Sequence, residues 1–262
     1  MNMKGKTVLI TGGGTGIGEA CARRLAAEHA HVILMGRRAE VLQRVAESIG
    51  AATVVGDAAQ AADVRRAVQL ARTQFGGLDA VIASAGGFGM GSATATDDVA
   101  WQASLNANLT SAFVVARECL PALIDRRGAM VLVSSIAGLA AGPEVCGYTT
   151  TKHAMIGLAK SLARDYGPLG VRVNTICPGW VRTPMADDEM QVLMDKYNET
   201  LEKAYARVTA DVPLRRAATA AEIASLCRFL ISPESSIVTG AVLVADGGST
   251  IVDVPTLAFT RD

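Results

Sequence analysis

A serine, a tyrosine and a lysine stand close together in the middle of the chain, at Ser135, Tyr148 and Lys152. Three residues separate Tyr148 from Lys152 in a segment whose pattern predicts a helix, so both side chains lie on one helix face. The pKa of a free tyrosine is about 10, and a neighbouring ammonium group favours the phenolate and lowers that pKa. The pair therefore indicates a general acid/base. The alternative is a helix with a half-buried tyrosine and a solvated lysine.

A glycine-rich turn follows the first predicted strand, in the sequence TVLITGGGTGIGEA. Gly12, Gly16 and Gly18 have the spacing G-x-x-x-G-x-G, which differs from the G-x-G-x-x-G of the commonest dinucleotide fingerprint. Missing Cβ atoms let the backbone approach a pyrophosphate, and the free N–H groups of the following helix point at it. The turn therefore predicts a cofactor loop, with Thr15 and Ile17 between its glycines.

The second predicted strand ends in the sequence VILMGRR. NAD-binding proteins usually place an Asp or Glu there to hold the ribose 2′-hydroxyl, but this chain has Gly36, followed by Arg37 and Arg38. A guanidinium donates two hydrogen bonds to a phosphate and so favours the 2′-phosphate of NADP. We therefore predict NADP(H) as the preferred cofactor, with NAD(H) as the alternative.

Short β-branched runs alternate with helix-length segments along the chain. Most of these runs are almost continuously apolar, as strands buried on both faces of a sheet must be. The runs are KTVLI, HVILM, ATVV, LDAVIASA, AMVLVSS, VRVNTIC and AVLVA, starting at residues 6, 31, 52, 78, 129, 171 and 241. The predicted helices cover about 16–28, 38–48, 61–75, 97–120, 148–166, 188–209 and 220–231. The alternation predicts an α/β fold: a single-domain, Rossmann-like, doubly wound parallel sheet of about seven strands with helices on both faces.

The composition narrows the class of protein. Half of the 262 residues are apolar, so we expect one large core and a single domain over residues 1–262. The 25 basic and 25 acidic residues cancel and form no basic run, which argues against nucleic acid as a partner. The five cysteines lack the spacing of a zinc or redox site, so we expect reduced thiols and no metal. Neither a membrane helix nor a signal peptide is expected, which favours a cytoplasmic protein.

The motifs occur in an order that resembles the short-chain dehydrogenase/reductase family, in particular its single-domain members similar to 3-oxoacyl-(acyl carrier protein) reductases. The resemblance covers about residues 6–248. In chain order it depends on TGGGTGIG, Asp57, ASAG at 83–86, Asn108, Ser135, YTTTK, PGWVRTP at 178–184 and TGAVLVADGG at 239–248. Their joint order is far more specific than any one motif. It implies an NADP-dependent oxidoreductase that acts on CH–OH and C=O groups.

The resemblance implies a catalytic tetrad of Asn108, Ser135, Tyr148 and Lys152. Ser135 would hydrogen-bond the substrate carbonyl, and Tyr148 would give the proton to its oxygen in reduction or remove it in oxidation. Lys152 would lower the pKa of Tyr148 and hold the nicotinamide ribose. Asn108 would anchor a water that relays protons from Lys152. Hydride would pass directly between the nicotinamide and the substrate carbon.

Further cofactor contacts are implied outside the glycine turn. Asp57 and Ala58 would meet the adenine, and Ser84, Ala85 and Gly86 would run beside the adenine ribose. The residues expected to close over the nicotinamide and pyrophosphate are Pro178, Gly179, Val181 and Thr183. Simpler alternatives stay open, with Asp57 as a loop cap and the Pro-Gly pair as an ordinary turn.

Two positions depart from the family pattern. The sequence ASAG replaces the common Asn-Asn-Ala-Gly, so Ala83 and Ser84 lack the side-chain amides that often brace the fourth strand. The sequence RRAAT at 215–219 lacks the glycine usually found near there.

Residues 186–210 form the one insertion that the strand–helix alternation does not require. Its apolar residues recur at helical spacing, and it is either a helix packed on its own domain or a mobile lid over the substrate. The tail 249–262 is apolar enough to contact a neighbouring subunit or the mouth of the substrate site. The resemblance implies a homotetramer, with the helices at about 97–120 and 148–166 paired between subunits.

The favoured function is an NADP(H)-dependent carbonyl reductase or alcohol dehydrogenase with a small-molecule substrate of unidentified structure. The alternative from another class is an NADP-binding regulator or scaffold without catalysis, against which the complete tetrad argues. Sugar-nucleotide epimerases and dehydratases usually carry a larger C-terminal substrate domain, for which little chain is left.

Overall fold

Seven parallel strands form the central sheet of the computed structural model, which describes residues 3–87 and 89–259. The strands among these residues are β1 (Thr7–Thr11), β2 (His31–Gly36), β3 (Ala52–Val55), β4 (Ala80–Ala83), β5 (Ala129–Val133), β6 (Arg172–Pro178), β7 (Val181–Arg182), β8 (Ala218–Thr219) and β9 (Val242–Ala245). The sheet order is β3-β2-β1-β4-β5-β6-β9, and β7 and β8 form a separate parallel ribbon. All seven predicted strands and the predicted fold class are confirmed.

Helices cover both faces of the sheet, as the apolar character of its strands requires. They are α1 (Gly16–Ala27), α2 (Ala39–Ile49), α3 (Ala61–Phe75), α4 (Asp98–Ser104), α5 (Ser111–Arg126), α6 (Cys146–Tyr166), α7 (Pro184–Tyr197), α8 (Leu201–Val208) and α9 (Ala220–Ile231). The buried side chains of α1, α2 and α9 form one core with the sheet. Those of α3, α5 and α6 form the core on the opposite face.

The chain reverses its direction of travel across the sheet between β1 and β4. From β1 it moves outward through β2 to β3, and then crosses back to β4 on the other side of β1. In doubly wound sheets a crevice opens at such a switch point, outside the carboxyl ends of the strands. The loops after β1 and β4 are therefore the expected walls of a ligand site.

The long helix predicted at about 97–120 is interrupted. A π-helical turn, Leu105–Thr110, separates α4 from α5, and the helical segment continues to Arg126. The composite 98–126 segment is long and apolar enough to span a membrane by composition, with a mean hydropathy of 1.2 over its most apolar window. Slightly more than half of that window, 56%, is buried inside the protein, where α5 packs in the core with α3 and α6. Core helices meet the same composition criteria.

The insertion at 186–210 forms two helices where the pattern predicted one over 188–209. Asn198 ends α7 in the left-handed conformation, and Thr200 caps α8 by accepting a hydrogen bond from the Lys203 N–H at 3.4 Å. The two helices bury Met190 and Tyr205 in a small apolar cluster of their own. This α7–α8 cluster is separate from the two main cores, and its buried residues support the packed-helix alternative.

Near the end of the chain, the structure shows how one departure from the family pattern is accommodated and how the tail folds. In RRAAT, Arg215 has a φ of +54°, so a non-glycine residue makes a left-handed turn that glycine makes without strain. The tail forms short 3₁₀ turns at Ser249–Ile251 and Val254–Phe259, with Ile251 and Phe259 exposed. Residues 260–262 of the predicted tail lie outside the described residues, and its contact partner stays a prediction.

Candidate active site

A cleft with a volume of about 620 Å³ opens at the carboxyl ends of β1, β2 and β4. Most of the residues predicted to hold a cofactor line it, namely Gly12, Thr15, Gly16, Ile17, Gly18, Arg37, Arg38, Asp57, Ala58, Ser84, Ala85, Gly86 and Thr183. The loops after β1, β2, β3 and β4, which are far apart in the sequence, thus line one cleft at the switch point of the sheet.

The glycine turn after β1 lets a ligand come close to the backbone. A Cβ on Gly18 would collide with the carbonyl oxygen of Gly12, and Gly16 has a φ of +54°, in the left-handed region. Thr15 precedes α1 in an extended conformation, and its side chain makes no capping hydrogen bond. The first N–H groups of α1 therefore need another acceptor, and the positive end of the helix dipole favours an anion there.

Arg37 and Arg38 lie exposed at the edge of the cleft, directly after β2. Within residues 3–87 and 89–259 neither guanidinium forms a salt bridge, whereas Arg44 on α2 pairs with Glu19 at 2.9 Å. Gly36 occupies the tip of β2, so no carboxylate stands at that point. This edge of the cleft is therefore positively charged and suits an anionic group of a ligand.

Hydrogen bonds hold two of the loops that line the cleft. The Asp57 carboxylate accepts from the Ala59 N–H at 2.9 Å, so Asp57 both caps its own loop and faces the cleft. The Ser84 hydroxyl donates to the Thr11 carbonyl oxygen at 2.5 Å, and the Thr11 hydroxyl accepts from the Ala85 N–H at 3.1 Å. These bonds join the ends of β1 and β4 without the amide side chains of the family pattern.

Three residues of the predicted tetrad meet beside the inner end of the cleft. A Cβ on Gly86, which lines the cleft, would lie 3.1 Å from Asn108 Oδ1 and 3.6 Å from Lys152 Nζ. Lys152 Nζ donates to the carbonyl oxygen of Val133 at 3.1 Å and lies 5.4 Å from the centre of the Tyr148 ring. Asn108 and Lys152 are buried and Tyr148 is half-buried. The predicted acid/base pair and the predicted cofactor cleft are thus neighbours.

Ser135 completes the group from the end of β5. Its Oγ accepts from the Ala137 N–H at 3.1 Å, and its side chain hydrogen-bonds Tyr148, which lowers the pKa of that phenol. Burial outweighs this effect, and the negative charge of Glu189 acts in the same direction as burial, so the pKa of Tyr148 lies above its ordinary value. The net direction is opposite to the lowering expected from Lys152, because loss of hydration on burial has the largest effect on the phenol.

The Lys152 amine is itself perturbed, since burial lowers its pKa to about 8. Ser134 donates its hydroxyl to the Lys152 carbonyl oxygen at 2.9 Å and so ties α6 to the end of β5. Cys177, at the end of β6, lies close enough to this amine that the lysine charge opposes the rise that burial causes in the thiol pKa. The sequence had indicated only a reduced structural cysteine at that position.

Asn108 lies in the π-helical turn between α4 and α5. Its Nδ2 donates to the Ser104 carbonyl oxygen, and its Oδ1 accepts from the Gly87 N–H, both at 3.1 Å. The side chain therefore links this turn to the loop after β4. π-helical turns occur frequently at functional sites. The water relay expected at Asn108 stays a prediction.

The four residues expected to close over the nicotinamide are not equivalent. Thr183 lines the cleft, whereas Val181 is buried in a main core and Pro178 ends β6. A Cβ on Gly179 would lie 3.0 Å from the Cα of Asp246, so close packing explains this glycine. Side-chain contact with a ligand in the cleft is therefore expected of Thr183 rather than of the other three.

The structure adds lining residues that the sequence did not single out: Met35, Val41, Leu42, Asn106, Ser111 and Pro184. Ser111 follows Asn108 by three residues on the same helical segment, and this helical spacing was the available signal. Glu189 on α7 was also missed, because a charged residue between apolar ones in a helical pattern normally faces water.

The donors around the cleft fit a dinucleotide. Backbone N–H groups at the start of α1 and the guanidiniums of Arg37 and Arg38 suit phosphates, and the Lys152 amine next to Gly86 suits ribose hydroxyls. Among the residues that the structure describes, no group of three or more His, Cys, Asp or Glu side chains is placed to hold a metal ion.

The doubly wound sheet with a glycine turn at its switch point defines the Rossmann class of α/β folds. Within that class, the family model described as enoyl-(acyl carrier protein) reductase matches residues 12–250. The chain therefore belongs to the short-chain dehydrogenase/reductase family, a family of oxidoreductases.

Relatives and solved structures agree with this assignment. Protein MoaE of Klebsiella aerogenes is 50% identical over 255 residues, covering 97% of this chain and 99% of the relative. Oxidoreductase UcpA of Escherichia coli strain K12 is 37% identical, covering 95% of this chain and 96% of the relative. The structure of L-sorbose reductase from Gluconobacter frateurii, complexed with NADPH and L-sorbose, is 29% identical with a TM-score of 0.87, covering 95% of this chain and 98% of that one.

Proposed function

We propose that the protein is an NADP(H)-dependent oxidoreductase that interconverts a carbonyl compound and its secondary alcohol, with Tyr148 as the general acid/base. One observation carries the proposal: Gly86 lines the cleft and approaches both Asn108 Oδ1 and Lys152 Nζ, at 3.1 and 3.6 Å from a Cβ placed on it. The acid/base group and the dinucleotide-shaped cleft therefore share one wall. The NADPH and L-sorbose named for the related reductase support the same class of reaction.

The residues that would hold the cofactor follow from the cleft. The glycine turn and the start of α1 would take the pyrophosphate, Arg37 and Arg38 the 2′-phosphate, and the Asp57 loop the adenine. Thr183 would hold the nicotinamide end, since it lies against Gly16 at the side of the cleft nearest α7. When bound, the nicotinamide supplies or accepts the hydride.

The side chains of Ser135, Tyr148 and Lys152 would bind the substrate oxygen and transfer the proton. Ser135 would donate a hydrogen bond to the substrate carbonyl oxygen and stabilise the negative charge that develops there. The Tyr148 hydroxyl would give its proton to that oxygen in reduction and take it back in oxidation. Lys152, held by Val133 and lying beside the phenol, would place a positive charge near the proton that moves.

The variant Tyr148→Phe tests the role of the phenol. Removing the hydroxyl takes away the proton donor but leaves the cleft intact, so we expect NADPH affinity to stay within a few-fold and turnover to fall by about 10²–10⁴. Fluorescence titration with NADPH and a turnover screen over ketones and secondary alcohols measure the two effects. Tyr166→Phe, on the same helix α6 but at its far end, is the matched control.

Unchanged turnover in Tyr148→Phe would contradict the assignment of the acid/base. Tight NADPH binding by the wild type without hydride transfer to any member of a broad panel would instead favour a regulator or scaffold that binds the cofactor without catalysis.

The pair Arg37 and Arg38 tests the cofactor preference. Replacing both by Ala removes the two unpaired charges at the tip of β2, so we expect NADPH binding to weaken about tenfold or more while NADH binding changes little. Calorimetry with both cofactors measures the ratio, with Arg164→Ala, in the last turn of α6, as the control. An equal loss for both cofactors would contradict recognition of the 2′-phosphate.

A homotetramer is also part of this proposal. Phe113 on α5 is 45% exposed on the helix expected to pair between subunits, and the outer edge of β9 has no neighbouring strand among the described residues. An open sheet edge and an exposed aromatic ring are both common at subunit interfaces.

A further inference from the structure

Glu189 lies on the inner face of α7, the helix that begins at the rim of the cleft. Its side chain is half-buried. The buried Ala186 lies three residues before it on the helix, and the buried Met190 follows it directly. Residues three or four apart share a helix face, so Glu189 faces the body of the protein rather than open water.

The neighbours of Glu189 locate its carboxylate. Its negative charge raises the pKa of Tyr148 on α6 and that of Tyr205 on α8. Direct charge effects of this kind fade over about 10 Å in salt solution. The carboxylate therefore lies within range of both phenols, on the partly buried side of α7.

Among the described residues, no basic side chain forms an ion pair with the Glu189 carboxylate. Burial is the one cause of its perturbed pKa, which is raised to about 7, and neither an ion pair nor a hydrogen bond joins it to a described residue. Arg182 and Lys196 are the basic residues nearest in sequence, at equal separation. Both terminal nitrogens of Arg182 bind Glu202 at 2.6 Å, and its guanidinium lies 4.4 Å from the centre of the Tyr205 ring. Lys196 Nζ lies 5.1 Å from the centre of the Tyr197 ring.

The other acidic residues of the α7–α8 segment are satisfied or solvated. Asp187 accepts from the Tyr205 hydroxyl at 2.7 Å, Asp195 from Gln191 at 2.6 Å, and Glu199 pairs with Arg207 at 2.8 Å. Asp188 is exposed to water. Glu189 thus differs from its neighbours in being partly buried without a partner, which is costly unless a bound molecule supplies one.

We propose that Glu189 is a substrate-specificity residue, which accepts a hydrogen bond from a hydroxyl or ammonium group that the substrate carries near the carbon undergoing oxidation or reduction. The preferred substrates are then compounds with a second, hydrogen-bond-donating group, such as diols, hydroxy ketones or amino alcohols. A simple ketone or mono-alcohol leaves the carboxylate unpaired and is disfavoured. This inference rests on the proposed function, because it assigns the substrate class of the same site.

Three probes of one carbon skeleton test it: butane-2,3-diol, 3-aminobutan-2-ol and butan-2-ol, each oxidised with NADP⁺. We expect the wild type to have a kcat/KM for the diol or the amino alcohol about tenfold or more above that for butan-2-ol. In Glu189→Leu that ratio should fall about tenfold, mainly through KM of the donor-bearing probe, because an acceptor is lost and the proton-transfer group is kept.

The variant Glu189→Gln distinguishes a substrate hydroxyl from a substrate ammonium group as the hydrogen-bond donor. A glutamine oxygen still accepts from a hydroxyl but has no charge for an ammonium group. The variant should therefore keep most of the preference for the diol if a hydroxyl is the natural donor, and lose the preference for the amino alcohol if an ammonium group is. Asp188→Leu, which changes the exposed neighbour on the same helix, is the control and should leave the ratio unchanged.

A ratio that does not change in Glu189→Leu, or a wild type that prefers butan-2-ol, overturns the inference while leaving the proposed function standing. Absence of turnover with all three probes contradicts this substrate class, and it contradicts the proposed function only if the wider panel of ketones and alcohols also fails. Thermal melting checks that each variant folds, and Glu189→Ala provides the same comparison if the leucine variant does not.

Discussion

Lys152 shows how strongly one position can set the electrostatics of the site. Its amine is buried and donates to the Val133 carbonyl oxygen, and the loss of hydration lowers its pKa to about 8 from the ordinary lysine value of 10.5. A lysine with a lowered pKa binds fewer protons in the folded protein than in the unfolded chain between these two pH values. Within that window the free energy of unfolding therefore increases as the pH rises. Below pH 8 the buried, charged Lys152 destabilises the folded protein most.

Comparison with Lys152→Met tests this linkage. We expect the free energy of unfolding of the wild type, relative to the variant, to increase by roughly 3 kcal/mol as the pH rises through the window from 8 to 10.5. Urea unfolding of both proteins without cofactor at several pH values measures the difference, in which the other titrating groups cancel. A difference that stays flat across this window would mean that the amine is hydrated in solution.

At the scale of elements, Thr183 connects α7 with the glycine turn after β1. Its hydroxyl accepts from the Ala186 N–H at 3.2 Å and caps α7, and its methyl carbon would lie 3.1 Å from a Cβ placed on Gly16. The same residue therefore stabilises the start of α7 and shapes the wall of the cleft.

Thr183→Ala should lower the free energy of unfolding by about 1 kcal/mol and weaken NADPH binding several-fold. Thr183→Ser keeps the capping hydroxyl and should recover most of both effects. Thr219→Ala provides the control, because Thr219 caps α9 in a capping box away from the cleft and should lower stability alone. Chemical unfolding and NADPH titration measure the two quantities, and full NADPH affinity in Thr183→Ala would argue against the dual role.

The strands were predictable because burial on both faces leaves a continuous apolar run, as in AMVLV before Ser134. The place of Lys152 beside Gly86, in the wall of the cleft that the glycine turn also lines, agrees with the motif order on which the resemblance depends. The break between α7 and α8 was not, because Asn198 in its left-handed conformation carries no strong signal within an otherwise helical pattern. The unpaired state of Glu189 depends on where Arg182 and Tyr205 lie in space, which periodicity cannot supply.

For the whole molecule, the expected homotetramer depends on apolar surface that is exposed on a single chain. Phe113 lies on the outer side of α5 with the Arg117 guanidinium 5.6 Å from its ring centre, and it is 45% exposed. If the α5 and α6 helices pair between subunits, this ring is covered in the assembly.

Sedimentation velocity should therefore give a particle of four times the 27.1 kDa chain mass. Phe113→Glu places a carboxylate in the paired helices, where desolvation is costly, so the variant should sediment as dimers or monomers. Val192→Glu, at a 68% exposed position on α7, should sediment like the wild type. Tetramers of unchanged stability in Phe113→Glu would exclude α5 from the interface.

The separate α7–α8 cluster has a consequence for how this protein could change. Its buried residues contact one another and Ala217 rather than the two layers beside the sheet, so exchanges among them leave most of the folding free energy untouched. If Glu189 selects the substrate as proposed, mutations in the α7–α8 segment can change which molecules are accepted while the sheet and its two cores keep their shape.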